Sequence, residues 1–215
     1  MAGLHDFMEI AMKKLLAGLA IILGVSAQVH AAGVNLVSNG SFENPDIQSG
    51  SWTILYDGDL TNWEAGEDGV EVRDNKAGTA YDGDQFVELD TTHNSSITQT
   101  LATTAGSSYE LSFAYSGRIS QSADTNAISI FWNGVMVDTV TAIGGAQHDW
   151  VVYTFLVDAL GNDILTFAAN GLDDSFGGSL DAVSVSAVPV PAAAFLFAPA
   201  LLGFMGLRRK TAKVA

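Results

Sequence analysis

The stretch Ser179-Leu180-Asp181-Ala182-Val183-Ser184-Val185-Ser186 places a carboxylate at the head of an alternating apolar run. Asp181 shares parity with Val183 and Val185, so the spacing predicts all three on one face of a strand. With the valines facing inward, the acid is at least half buried. A buried carboxylate needs a compensating charge, and between residues 32 and 187 only Arg73, Lys76 and Arg118 are basic. A metal ion is the other source, and Ca2+ suits carboxylate and carbonyl oxygens outside a cell. A second chemistry is sugar binding, in which an aromatic ring covers the apolar face of a pyranose while polar groups meet its hydroxyls. Trp52, Trp63, Tyr81 and Trp132 are the aromatic candidates, with Arg118, Asp82 and Asp84 as polar neighbours. Trp63, in the polar run "LTNWEAGED", is favoured for a ligand surface together with Tyr81 and Arg118. Catalysis has little to stand on. His93 and His148 belong to no triad or metal motif, no cysteine is present, and Gly-x-Ser-x-Gly is absent. The expectation is a protein that is not an enzyme.

These residues must be held by strands. "SYELSFAYS" sets Tyr109, Leu111, Phe113 and Tyr115 on one face, and "NAISIFWNG" sets Ile128, Ile130 and Trp132 together before turning at Asn133-Gly134 into "VMVDTV". Asn-Gly between alternating runs is a strong hairpin signal. "DWVVYTFLVD" and "DILTFAAN" are apolar at nearly every position, as strands of a sandwich interior would be. Eight to ten short strands and no convincing helix predict an all-β fold, a jelly-roll β-sandwich, over residues 32–187.

Two segments frame that domain. Lys13-Lys14, the apolar run Leu15–Val25 and small residues at Val29-His30-Ala31 have the form of a signal peptide over residues 1–31, cut by signal peptidase after Ala31. The acidic leader before Met12 does not suit a basic n-region, so Met12 is a candidate true start. At the other end, residues 188–215 hold about 20 apolar residues, the length of a bilayer core, followed by Arg208-Arg209-Lys210. A transmembrane helix with a basic cytoplasmic tail is expected there. The formal net charge is −15, and six of the nine basic residues lie in these flanking segments. The domain itself is therefore strongly acidic, which excludes nucleic acid and anionic lipid as its partners.

The order Val188-Pro189-x-Pro191, an Ala-rich start, a Gly-containing apolar span and terminal Arg208-Arg209-Lys210 resembles the PEP-CTERM sorting signal of Gram-negative bacteria. Val190 stands where that family's naming pattern has Glu. The resemblance implies recognition by exosortase, cleavage near the proline box, and passage from an inner-membrane intermediate to the cell surface or an extracellular polysaccharide or biofilm matrix. The domain has its own resemblance. "NLVSNGSFENP", "DGDQFVELD" and "SLDAVSVS" are similar to galactose-binding-like jelly rolls, including carbohydrate-binding modules and the DUF642-type exported domains. Such domains often hold a structural Ca2+ between their first and last strands, and the motif match implies Glu43 of "NGSFE" as the ligand that joins Asp181. Glycan binding is the function this likeness implies. A purely structural matrix protein and a secreted polysaccharide-active enzyme are the alternatives.

Overall fold

The computed structural model describes residues 33–189, and the signal-peptide and sorting segments lie outside them apart from Val188 and Pro189. Eleven strands run β1 Trp52–Leu55, β2 Glu64–Ala65, β3 Val70–Asp74, β4 Gln85–Glu88, β5 Ser96–Leu101, β6 Ser108–Ser116, β7 Ile128–Trp132, β8 Val135–Val140, β9 Val151–Asp158, β10 Asp163–Ala169 and β11 Ser179–Ala187. They form two sheets, ordered β1-β3-β4-β11-β6-β9 and β2-β5-β10-β7-β8, with every recorded pairing antiparallel. The all-β sandwich read from the sequence is what the chain forms. Among the described residues no helix is long and apolar enough to cross a membrane.

The period-2 pattern of β6 explains the core. Tyr109, Leu111, Phe113 and Tyr115 all point between the sheets, and Phe113 meets Phe167 of β10 edge-on at 5.0 Å between ring centroids. Burying each such side chain contributes about 2 kcal/mol. The β7–β8 hairpin turns at Asn133 and Gly134, both with positive φ, the conformation a two-residue turn of this hand requires.

Two strands depart from the expectation. β10 is interior, paired with both β5 and β7, but β9 pairs only with β6 and forms an edge. Its Tyr153 and Phe155 pack on the core while Leu156 faces solvent. An apolar run alone does not say how many neighbours a strand has. The second departure concerns Asp181. Opposite β6, Asp181 pairs with Ala114 and Ser184 with Ser112, so the β11 register shifts between them. Ala182 takes a positive φ of 49° in this bulge. The extra residue reverses the parity: Leu180, Val183 and Val185 face the core, whereas Asp181 lies on the outer face of the six-stranded sheet.

Candidate functional site

The outer face of the six-stranded sheet carries charge under an aromatic cover. The valines Val70, Val72 and Val87 point inward, so the alternate residues of β3 and β4 point out. The registers align Trp52, Arg73 and Phe86 in one cross-strand row and Ile54, Glu71 and Glu88 in the next, with Ser179 and Ser116 continuing the second row. Glu71, Arg73 and Glu88 are all buried. Arg73 pairs with Glu71, and its Nε lies 3.0 Å from Glu88. Arg118 reaches the same Glu88 carboxylate from beyond β6, and the Gly177 amide donates to it at 2.8 Å. Burial pushes the Glu88 carboxyl up to about 7, against the pull of Arg73 and Arg118. Phe176 lies over the Arg118 guanidinium at 4.7 Å, and Trp52 over that of Arg73 at 5.8 Å.

The cover comes from two loops. His148 meets Phe86 edge-on at 4.8 Å and Trp150 at 4.9 Å, and Trp150 in turn meets Tyr81 at 6.3 Å. The backbone carbonyl of Thr79 accepts from both His148 Nδ1 and Trp150 Nε1, each at 3.0 Å. Burial lowers the His148 pKa, which leaves Nε2 as an acceptor facing Ser179 Oγ at 3.4 Å. Gly78 makes this contact feasible, since a Cβ there would sit 2.4 Å from the imidazole. Above this buried layer, Tyr81 remains 50 % exposed and Trp52 48 % exposed. The face thus offers aromatic surface over an internally neutralised network, with Asp82, Asp84 and Asp149 exposed at its rim.

Glu43 and Asp181 do converge on one element, the loop 81–85. Glu43 Oε1 accepts the amides of Asp84 at 2.9 Å and Gln85 at 2.8 Å. Asp181 Oδ2 accepts those of Tyr81 at 2.7 Å and Asp82 at 2.9 Å, while Oδ1 accepts the Ala182 amide at 2.6 Å. Asp82 is held in turn by Ser41 Oγ at 2.7 Å. These carboxylates are guests in backbone N–H concavities. Among the described residues no three His, Asp or Glu side chains form a metal-holding group, at this loop or elsewhere. Glu43 Oε1 and both oxygens of Asp181, the atoms a Ca2+ ion between the two acids would share, are engaged by backbone amides. The acids instead latch the first and last segments of the domain to one loop. Asp181 is completely buried, and burial raises its carboxyl to about 7.

The remaining candidates separate. Trp63 is a core residue, not a ligand platform: it is 3 % exposed, its ring lies 5.7 Å from Phe42 and 6.5 Å from Phe167, and its Nε1 donates to the Asn39 carbonyl. Its polar neighbours in sequence sit outside while the loop turns the indole inward. Trp132 is also buried, with Nε1 donating to Asp158 O, and it lines a groove of about 370 Å³ with Val135 and Leu160 that shares no residue with the aromatic face. Tyr81 is half exposed and meets Trp150. Arg118 is committed to Glu88 rather than open to a ligand. Trp150 is hidden from sequence pattern, since it opens a run that reads as strand interior. Val188 and Pro189 are exposed, while Pro191, Arg208, Arg209 and Lys210 lie outside the described residues.

A family model described as protein of unknown function (DUF642) matches residues 35–186. No curated protein matches the chain. Among solved structures, an adhesin domain of Lys-gingipain from Porphyromonas gingivalis is 14 % identical, with 65 % of this chain and 98 % of that one covered and a TM-score of 0.50. A family 35 carbohydrate-binding module from Clostridium thermocellum is 16 % identical over 63 % of this chain and 97 % of that one, at a TM-score of 0.44. A family 61 module solved with beta-1,4-galactotriose is 16 % identical over 72 % and 99 %, also at 0.44. At these identities the likeness is one of fold.

Proposed function

The chain belongs to the DUF642 family, and from that premise we propose that it is an exported, non-catalytic glycan-binding protein whose ligand lies across the outer face of the six-stranded sheet. One observation carries this reading: Tyr81 and Trp52 stay half exposed above a charge network whose acids and arginines pair with one another. Large aromatics normally bury their surface, and a cluster left open over polar ground suits the two-sided character of a sugar. Of the 24 acidic residues in the chain only Asp6 and Glu9 precede the domain, so a polyanionic glycan would be repelled. The ligand class is therefore neutral or amino-bearing polysaccharide. Glu88, the buried acid with the raised pKa, is engaged by two arginines and an amide, which leaves it no role in proton transfer to a ligand.

In the same proposal signal peptidase releases the chain outside the inner membrane. The apolar tail anchors it there until exosortase acts, and it ends at the cell surface or in extracellular matrix. The domain's ends suit such a tether. A Cβ at Gly33 would lie 2.9 Å from the Ala187 carbonyl, so the chain enters and leaves the sandwich side by side. A glycan array of residues 32–187 tests the binding half. Retention of neutral or amino glycans, lost in the double variant Tyr81→Ala/Trp150→Ala, is expected; a blank array overturns it.

A further inference from the structure

Beyond the end of β4 the chain makes a tight turn in which Asp90 and Asn94 pair as an isolated antiparallel bridge. Residues paired in this way project their side chains to the same side. Asp90 Oδ1 and Asn94 Oδ1 are both buried and both lack a hydrogen-bond partner. Native domains leave few such groups, and each one has a cause. Asp90 is completely buried, and its other oxygen accepts the Asp174 amide at 3.2 Å, which aims the carboxylate at the 173–175 turn. Asn94 is held from two sides. Its Nδ2 donates to Gly171 O at 3.0 Å and its backbone amide to Asp173 Oδ1 at 2.9 Å, so the side-chain oxygen is the atom left free. Ser95 Oγ is also unpartnered but is turned toward Gly66, where a Cβ would approach within 2.7 Å, and it is not counted. Around the pair, Asp173 and Asp174 add negative charge. Among the described residues no lysine or arginine forms an ion pair with Asp90, Asp173 or Asp174, and the one basic side chain in contact with Asp173 is the exposed His93.

The unmet atoms are two hard oxygens on the same side of one turn, in an acidic surround whose one basic contact is the exposed His93 on Asp173. We propose that this turn binds a calcium ion through Asp90 Oδ1 and Asn94 Oδ1, with backbone carbonyls and water completing the shell. A site with one charged ligand and neutral oxygens has the weak, roughly 0.1–1 mM affinity of extracellular calcium modules. The ion would clasp the 89–95 turn to the 173–177 turn. That second turn sets Phe176 over Arg118 and supplies the Gly177 amide to Glu88, so calcium here fixes one border of the aromatic face. The proposal stands independently of glycan binding.

The test is thermal melting of the full chain after chelation, with 10 mM CaCl2, MgCl2 or ionic-strength-matched NaCl added back. Calcium alone should raise the midpoint by roughly 3–6 °C. The shift should vanish in Asp90→Asn, whose amide oxygen still accepts from Asp174, and persist in Asp181→Asn. Should Asp90→Asn fail to fold, Asn94→Ala is read instead by tryptophan-sensitised Tb3+ luminescence, with about tenfold weaker binding expected. No calcium shift in the wild type, an equal response to magnesium or sodium, unchanged Tb3+ binding in Asn94→Ala, or a shift that follows Asp181 rather than Asp90 would each overturn the proposal.

Discussion

Asp181→Asn separates a buried, proton-holding latch from a metal ligand. The wild-type carboxyl is completely buried, and burial pushes it up to about 7 from the ordinary aspartate value of 3.8. Between those pH values the folded protein keeps a proton that the unfolded chain has released. The stabilisation is therefore complete below about pH 4 and lost as pH rises through about 7, with a slope approaching 1.4 kcal/mol per unit. Integrated across the window it amounts to about 4 kcal/mol. Asparagine does not titrate. Its oxygen can still accept the Tyr81 and Asp82 amides, but its NH2 opposes the Ala182 amide, a pH-independent cost of about 1–2 kcal/mol. Urea unfolding of both proteins from pH 4 to pH 8 reads the difference, and the contribution of Glu88, present in both, cancels. The stability of the wild type relative to the variant should fall by up to about 4 kcal/mol over that range. A flat difference would refute the buried-latch account. A difference that grew with pH would mean a carboxylate ionised in the folded protein, held by its three amides or by a cation, and only a calcium dependence of that growth would restore calcium at that position.

Trp63→Ala should cost about 3–5 kcal/mol in chemical denaturation and leave glycan affinity unchanged, because the indole packs on Phe42 and Phe167 rather than on the open face. Arg118→Ala removes one of the two cations on Glu88 and should destabilise by about 3 kcal/mol, with the loss shrinking at lower pH as Glu88 protonates. Tyr81→Ala alone should weaken glycan binding about 3- to 10-fold with little change in stability, since its ring is half exposed and touches only Trp150 among the aromatics.

Local pattern made the sandwich legible. Alternation in β6, the Asn133-Gly134 turn and the valines of β11 each report a choice the chain makes within a few residues. The site was legible only in pieces because it depends on distant pairings. Nothing near Ala182 announces a bulge, since alanine rarely adopts positive φ, yet that one residue moves Asp181 from the core face to the outer face. Glu71 and Arg73 alternate with valines in "VEVRD", which marks them as outward, but their burial depends on Trp52 and on the distant Glu88. Trp63 shows the converse: polar neighbours in sequence do not keep an indole at the surface when its N–H can reach a carbonyl 24 residues away. Glu43 and Asp181 were linked by motif alone, and what no local pattern shows is that both accept backbone amides of loop 81–85.

The most direct test of glycan recognition by the outer face is intrinsic tryptophan fluorescence during titration with a panel of neutral, amino and uronate oligosaccharides. Trp150 and Trp52 lie on the open face, whereas Trp63 and Trp132 are buried. The account predicts a saturable change with a neutral or amino sugar, none with uronates, and loss of the response in Tyr81→Ala/Trp150→Ala under conditions where the fold is retained. Wild-type fluorescence that stays unchanged across the whole panel, or a response that survives intact in the double variant, would contradict it.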